Sequence, residues 1–295
     1  MTEVFGVPLP ALLGQLLVGL VNGAFYAMLS LGLAVIFGLL NIINFSHGAQ
    51  YMLGAVFTWM LLDRQQVSYW WALILAPMGV AAIAAVVERT MLSRLYLLDH
   101  LYGLLLTFGL ALMIQGLLTN FFGSSGLPYV LPSEFSGSFD LGFMRLPRYR
   151  AWVVMASLLV CTATVLAIER TKLGSYLRAA TENPLVVRAF GINVPRMITL
   201  TYAFGAGLAA LAGVMAAPIY QVSPLMGTDL IIVVFAVVVV GGMGSIVGAI
   251  VTGYGLGVVE ALTKVYYPEA SNTVIFVIMA VVLLIKPAGL FGKER

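Results

Sequence analysis

Residues 169–196 read ERTKLGSYLRAATENPLVVRAFGINVPR, the longest charged interval in an otherwise mostly apolar chain. Apolar runs of membrane-helix length lie on both sides of it. It holds five basic residues, Arg170, Lys172, Arg178, Arg188 and Arg196, against two acids, Glu169 and Glu182. Short basic loops between membrane spans stay in the cytoplasm, so this interval predicts a cytoplasmic loop between two spans. It also carries helix punctuation. Asn183 can cap a helix whose first residue is Pro184, where a missing N–H costs nothing. Gly191 is a natural stop. Residues 176–181 can form a second short helical piece. Short helices held at the cytosolic face make a docking surface for a soluble partner. A solvated positive-inside loop with incidental helicity accounts for the composition equally well.

Composition sets the surroundings of that loop. Of 295 residues, 61% are hydrophobic and 9% charged, whereas a soluble domain carries about 25% charged residues. Such a chain cannot cover a water-facing surface, and its apolar runs have helical length rather than the alternation of barrel strands. The expected fold is all-α: a polytopic membrane helix bundle of 8–9 transmembrane helices forming a single domain over residues 1–295. The net charge of +3 is an orientation signal in short loops and not a nucleic-acid footprint. Cys161 lies inside a span, so no intrachain disulfide is expected. The first basic residue is Arg64, so the positive n-region of a cleavable signal peptide is missing.

Residues 10–43 are one apolar run, longer than the ~20 residues that cross a bilayer. They predict either one long tilted helix or a helix plus a broken piece, with the N-terminus outside. Further spans are expected over 49–62, 69–87, 101–122 and 152–168. A basic turn at 88–94 falls inside, and a polar stretch at 123–150 outside despite Arg145, Arg148 and Arg150. After the central loop, spans are expected over 197–217, 229–241, 246–263 and 272–285. The span at 229–241 is short and partly re-entrant in this reading. Residues 264–271 form an outer loop, and Lys286, Lys293 and Arg295 hold the C-terminus in the cytoplasm.

Enzyme signals are nearly absent. The sequence has two histidines, His47 and His100, and lacks HExxH, CxxC and the GxxxxGK[ST] phosphate loop. Glu260 is the main carboxylate deep in a span, and Lys264, four residues on, is placed to pair with it. The polar residues that enter the membrane are mostly neutral: Asn22 within the first run, and Asn41, Asn44, Ser46, His47 and Gln50 at its end. Backbone that leaves the helix at membrane depth must be buried in protein or line a wet cavity. One reading is a translocation path for a polar solute; the other is helix capping and helix–helix bonding. Gly241, Gly242 and Gly244 interrupt a second apolar segment. Paired interruptions in two halves of a chain point to a pathway in repeat-built transporters, and glycines also serve simple close packing.

Three stretches together resemble a known family: GLVNGAFYAMLSLGLAVIFGLLNIINFSHGAQYMLGA, LRAATENPLVVRAFGINV and FAVVVVGGMGSIVGAIVTGYGLGVVE, with KPAGLFGK near the end. They are similar to the shorter permease subunit of branched-chain amino-acid ABC importers, over nearly the whole chain. The resemblance implies a type II-like importer permease with broken helices, in the bacterial inner membrane and without a cofactor. It implies as partners a second permease, two ATP-binding ATPase subunits and a periplasmic solute-binding protein, with amino-acid-like cargo. The missing phosphate loop is then expected, because ATP is hydrolysed on the separate subunits. The central loop becomes the ATPase-coupling element, its role carried over on Ala179, Ala180, Glu182, Asn183, Pro184, Gly191 and Ile192. It departs from the better-known importer loop, since Arg178 precedes the alanines and the Asp-Gly pair is missing. Within it, Leu185, Val186, Ala189 and Phe190 share one face of a short helix, with Arg188 and Glu182 at the rim. Related permeases carry urea, short amides or aromatic acids. The competing readings are an ion- or proton-coupled secondary transporter of small polar solutes and a membrane-embedded enzyme.

Overall fold

The computed structural model describes residues 3–4, 6–40, 43–96 and 98–292. Helices dominate these residues. In chain order they are α1 (Leu9–Leu40), α2 (His47–Trp59), α3 (Tyr69–Thr90), α4 (His100–Phe122), α5 (Arg148–Glu169), α6 (Lys172–Glu182), α7 (Pro184–Ala189), α8 (Val194–Ala216), α9 (Met226–Gly241), α10 (Ile246–Tyr266) and α11 (Val274–Ile285). The fold is all-α apart from two short antiparallel hairpins, one pairing residues 3–4 with 7–8 and one pairing 138–140 with 145–147. Among the described residues, α1, α3, α4, α5, α8 and α10 are long and apolar enough to cross a membrane, and α9 and α11 are apolar but shorter.

The first apolar run resolves into one helix. α1 has 32 residues and no interior proline beyond its first turn, so it runs about 48 Å at 1.5 Å per residue. α2 begins two residues earlier than the sequence suggests and continues as a π-helical turn, Met60–Arg64. Other boundaries shift outward in the same way. α8 starts at Val194 rather than 197 because Asn193 caps it, accepting the Arg196 N–H, with a proline in the first turn. α10 runs to Tyr266, past the point where an outer loop is expected, because Lys264 stays in the helix paired to Glu260. Two arginines of the 123–150 stretch serve a local hairpin: Arg145 lies in its second strand, the Arg148 amide donates to the Gly137 carbonyl at 3.1 Å, and the Arg148 guanidinium lies 5.7 Å from the centre of the Phe139 ring.

Two compact units make up the chain: Leu31–Tyr129 with Thr162–Ile232, and Met1–Ser30, Val130–Cys161 and Val233–Arg295. In the first unit α8 packs on both α2 and α3. α2 approaches α8 so closely that a Cβ on Gly54 would lie 2.1 Å from the Ala210 carbonyl oxygen; only glycine permits this backbone contact. Nearly all of α2 is buried in consequence. α4 is the opposite case. It buries only Thr107 and leaves Leu101, Leu105, Leu112 and Phe121 exposed, an outward face suited to hydrocarbon.

The second unit packs the N-terminal half of α1 against α10, and a Cβ on Gly23 would lie 2.8 Å from the Tyr254 Cα. Glu260 is buried there. Its carboxylate accepts from Lys264 Nζ at 2.5 Å and from the Tyr26 hydroxyl at 2.6 Å. The i,i+4 partner follows from the sequence, whereas the tyrosine comes from a residue 234 positions away.

Candidate functional site

Among the polar residues after α1, Asn44, Ser46 and Gln50 form a compact network inside the first unit. Asn44, Ser46, His47 and Gln50 are all buried. The chain turns between α1 and α2, and Asn44 organises that turn. Its Oδ1 accepts from the Ser46 amide at 3.1 Å and the Ser46 hydroxyl at 2.6 Å, while its Nδ2 donates to Gln50 Oε1 at 3.3 Å. A backbone group freed by the break is met in the same way: the Phe45 N–H donates to Thr107 Oγ1 of α4 at 3.1 Å. The Gln50 side chain also donates from Nε2 to the Tyr202 hydroxyl of α8 at 3.5 Å. Satisfied buried polar groups of this kind fix one conformation of a non-helical segment. Ser46 and Gln50 also line a cleft of about 320 Å³ with apolar walls from α3 and α4, including Val80, Ile83 and Ile114. Gly48 and Ala49 line a second cleft of about 430 Å³ with Phe45, Phe108, Leu112 and Gln115. Of the other expected pathway residues, Asn22 lies partly buried in α1. Asn41 lies outside the described residues.

Gly241, Gly242 and Gly244 belong to the second unit and turn the chain from α9 into α10. Gly242 has φ +100° and Gly244 φ +89°, a region open to glycine but strained for other residues. The end of the chain folds back onto this turn. The amides of Leu290 and Phe291 donate to the carbonyls of Val240 and Gly241 at 2.8 and 3.0 Å, satisfying acceptors that the end of a helix leaves open. A Cβ on Gly242 would lie 2.4 Å from the Gly292 nitrogen. The glycine turn and the KPAGLFGK stretch, separate in the sequence, are one structure.

The central interval holds two helices, as its punctuation suggests. α6 starts at Lys172, four residues before the expected helical piece, because the chain turns tightly out of α5. Gly174 is buried against the Ile168 carbonyl, and that carbonyl also accepts from Arg178 Nη1 at 3.3 Å. The end of α6 carries Ala179, Ala180 and Glu182 up to Asn183. Asn183 caps α7 as its chemistry predicts: its Oδ1 accepts the Val186 N–H at 3.2 Å, and Pro184 occupies the first turn. Gly191, with φ +79°, ends the element, its N–H on the Arg188 carbonyl at 2.9 Å. Phe190 is 81% exposed, Leu185 74% and Val186 49%, and Arg188 and Ala189 are exposed beside them. Val187 alone of this helix turns inward, a role its neighbours' identical apolar character conceals in the sequence.

Glu88 also escapes a sequence reading, which places it in a basic turn. It is 2% exposed on the last turn of α3. Its carboxylate accepts from the Tyr96 hydroxyl at 2.6 Å and from the Thr199 hydroxyl of α8 at 2.5 Å. Burial first, and then the bond to Glu88, push the Tyr96 phenol well above its ordinary range, so it remains a donor.

Six long apolar helices, with polar breaks and a structured connection between two of them, fit a polytopic membrane protein. The chain belongs to the family described as branched-chain amino acid transport system / permease component, whose profile matches residues 15–283. It is 30% identical, over 96% of each chain, to the high-affinity branched-chain amino acid transport system permease protein LivH of Escherichia coli (strain K12). The same figures hold for BraD of Pseudomonas aeruginosa, a permease protein described in the same words. It is 27% identical to the LivM permease protein of E. coli (strain K12), over 92% of this chain and 68% of that one. No solved structure matches.

Proposed function

We propose that this chain is the transmembrane permease subunit of an ATP-binding-cassette importer, forming half of the translocation pathway for branched-chain or related amino acids across the bacterial inner membrane. The observation that carries the reading is the α6–α7 element. It is rigidly capped, it joins α5 to α8, and it holds Leu185, Val186 and Phe190 out into solvent. Exposed apolar side chains rimmed by charge mark an interaction surface. The sequence has no phosphate loop of its own, so the partner that fits is a soluble ATPase whose groove takes this edge. Residues 169–196 are then cytoplasmic, with the N-terminus outside and the C-terminus inside, and residues 1–295 act as one permease domain.

The second permease is argued from kinship. Similarity to LivH and, at lower identity, to LivM supports pairing with a homologous but different subunit. Two ATPase subunits and a periplasmic solute-binding protein complete the importer. Asn22, Asn41, Asn44, Ser46, His47, Gln50 and the glycines at 241, 242 and 244 are assigned to the pathway. The polar turn and its clefts support this for residues 44–50.

Reconstitution tests the proposal. Proteoliposomes holding this chain, its partner permease and both ATPases should take up labelled leucine only with ATP and the binding protein present. Uptake by this chain alone, driven by a proton gradient, would replace the reading with a secondary transporter.

A further inference from the structure

The Glu88 carboxylate is an unusual way to join two membrane helices. Burying a carboxylate costs several kcal/mol unless it is paired or fully hydrogen-bonded, and packed apolar side chains join helices without that penalty. Among the described residues no ion pair reaches Glu88; its partners are the two hydroxyls of Tyr96 and Thr199. The three side chains come from three elements: Glu88 from α3, Tyr96 from the connection after it, and Thr199 from α8. Thr199 stands in the second turn of α8, just beyond Gly191 and the Asn193 cap, so it is the first point among the described residues where the chain leaving α7 is tied to another helix by a side-chain hydrogen bond. One turn further, Tyr202 is fully buried. Its hydroxyl meets Gln50 Nε2 at 3.5 Å and also interacts with the side chains of Ser46 and Asn44. α8 therefore touches the base of α3 and the polar turn before α2 through residues three positions apart.

We propose that Glu88 is a positioning residue for transport: through Thr199 it clamps the base of α8 to α3, so that displacement of the α6–α7 element moves both helices together and reaches the polar turn at residues 44–50 through Tyr202. This rests on the importer reading above. The physical ground is directionality. Apolar helix faces can slide past one another by small shear steps, whereas a short hydroxyl–carboxylate bond weakens steeply once its distance or angle changes. A clamp of this kind makes α3 and α8 respond as one body.

The test uses the complete importer in proteoliposomes, with leucine imported per ATP hydrolysed as the readout. Thr199→Val keeps the shape and removes the donor. Imported leucine per ATP should fall about fivefold or more, the lower range of coupling between linked sites. The ATPases should still co-purify, because the α7 edge is untouched. Thr199→Ser restores the hydroxyl and should restore the native ratio, which a purely space-filling role would not predict. Glu88→Met keeps the length, removes both acceptors, and should behave like Thr199→Val; it carries the same test if the valine variant does not fold. Native ratios in both Thr199→Val and Glu88→Met, or equal losses in the valine and serine variants, would overturn the clamp. Failure of the importer reading appears separately, as a native complex without ATP-driven uptake, and would remove the clamp with it.

Discussion

Phe190 stands 81% exposed on a charged segment, and so forgoes about 2 kcal/mol of burial free energy. Removing such a side chain should leave folding alone and strike binding. Phe190→Ala is expected to keep the melting midpoint in detergent within the shift of about 0.5 kcal/mol usual for surface changes. The same variant should weaken ATPase binding by about 2 kcal/mol, the scale of an interface anchor, which titration of the purified subunits would read. Glu260 predicts the reverse pattern. Glu260→Ala leaves the Tyr26 hydroxyl and the Lys264 ammonium without their acceptor, and should lower stability by roughly 1–3 kcal/mol with ATPase binding unchanged; a melt and a pull-down together check it. Local chemistry was readable at this scale. Asn183 and Pro184 do what their side chains dictate, Gly191 does what the lack of one allows, and Lys264 finds Glu260 four residues back. Tyr26, Thr107, Thr199 and Tyr202 were not readable, because their partners lie 62 to 234 residues away and isolated hydroxyls carry no pattern.

Elements show the same division. Hydrophobic length placed α1, α3, α4, α5, α8 and α10 to within a few residues, and cap residues placed α7. The sequence could not distinguish a buried helix from an outward-facing one: α2 is almost wholly buried and α4 buries only Thr107, yet both are apolar without a sharp face. Nor could it join the glycine turn to the C-terminal stretch, since that joint is made by backbone groups. Two glycines of the same neighbourhood make opposite predictions. Gly242→Leu adds a side chain at φ +100° with a Cβ 2.4 Å from the Gly292 nitrogen, and should abolish folded, membrane-inserted protein by size-exclusion profile. Gly255 in α10 has open space where a Cβ would go, so Gly255→Ala should be neutral or stabilise by about 0.5–1 kcal/mol, the helical Gly-to-Ala difference. For α7, Asn183→Ala removes the cap on the Val186 amide at about 1 kcal/mol. Hydrogen exchange at that amide should quicken about fivefold while exchange in α8 is unchanged.

At the scale of the whole molecule, the chain divides its labour. Outward apolar surface is supplied by α4, α3 and α5, where large hydrophobic side chains such as Leu105, Met78 and Leu159 stand exposed. Buried polar chemistry gathers at a few points, the turn at residues 44–50, Glu88 with Tyr96 and Thr199, and Glu260 with Lys264 and Tyr26, while the α6–α7 element carries exposed charge. An importer permease needs this arrangement: a solute must meet polar groups inside the membrane, and force must enter from a soluble motor at one rigid place. The most direct measurement is uptake of labelled leucine against ATP hydrolysis in proteoliposomes holding the complete importer, with native protein and with Val186→Asp, which puts a charge into the exposed α7 edge. The account predicts ATP-driven accumulation by the native complex, and loss of uptake with loss of solute-stimulated hydrolysis in the variant, although the permease still inserts. Native uptake and native solute-stimulated hydrolysis in Val186→Asp would contradict it.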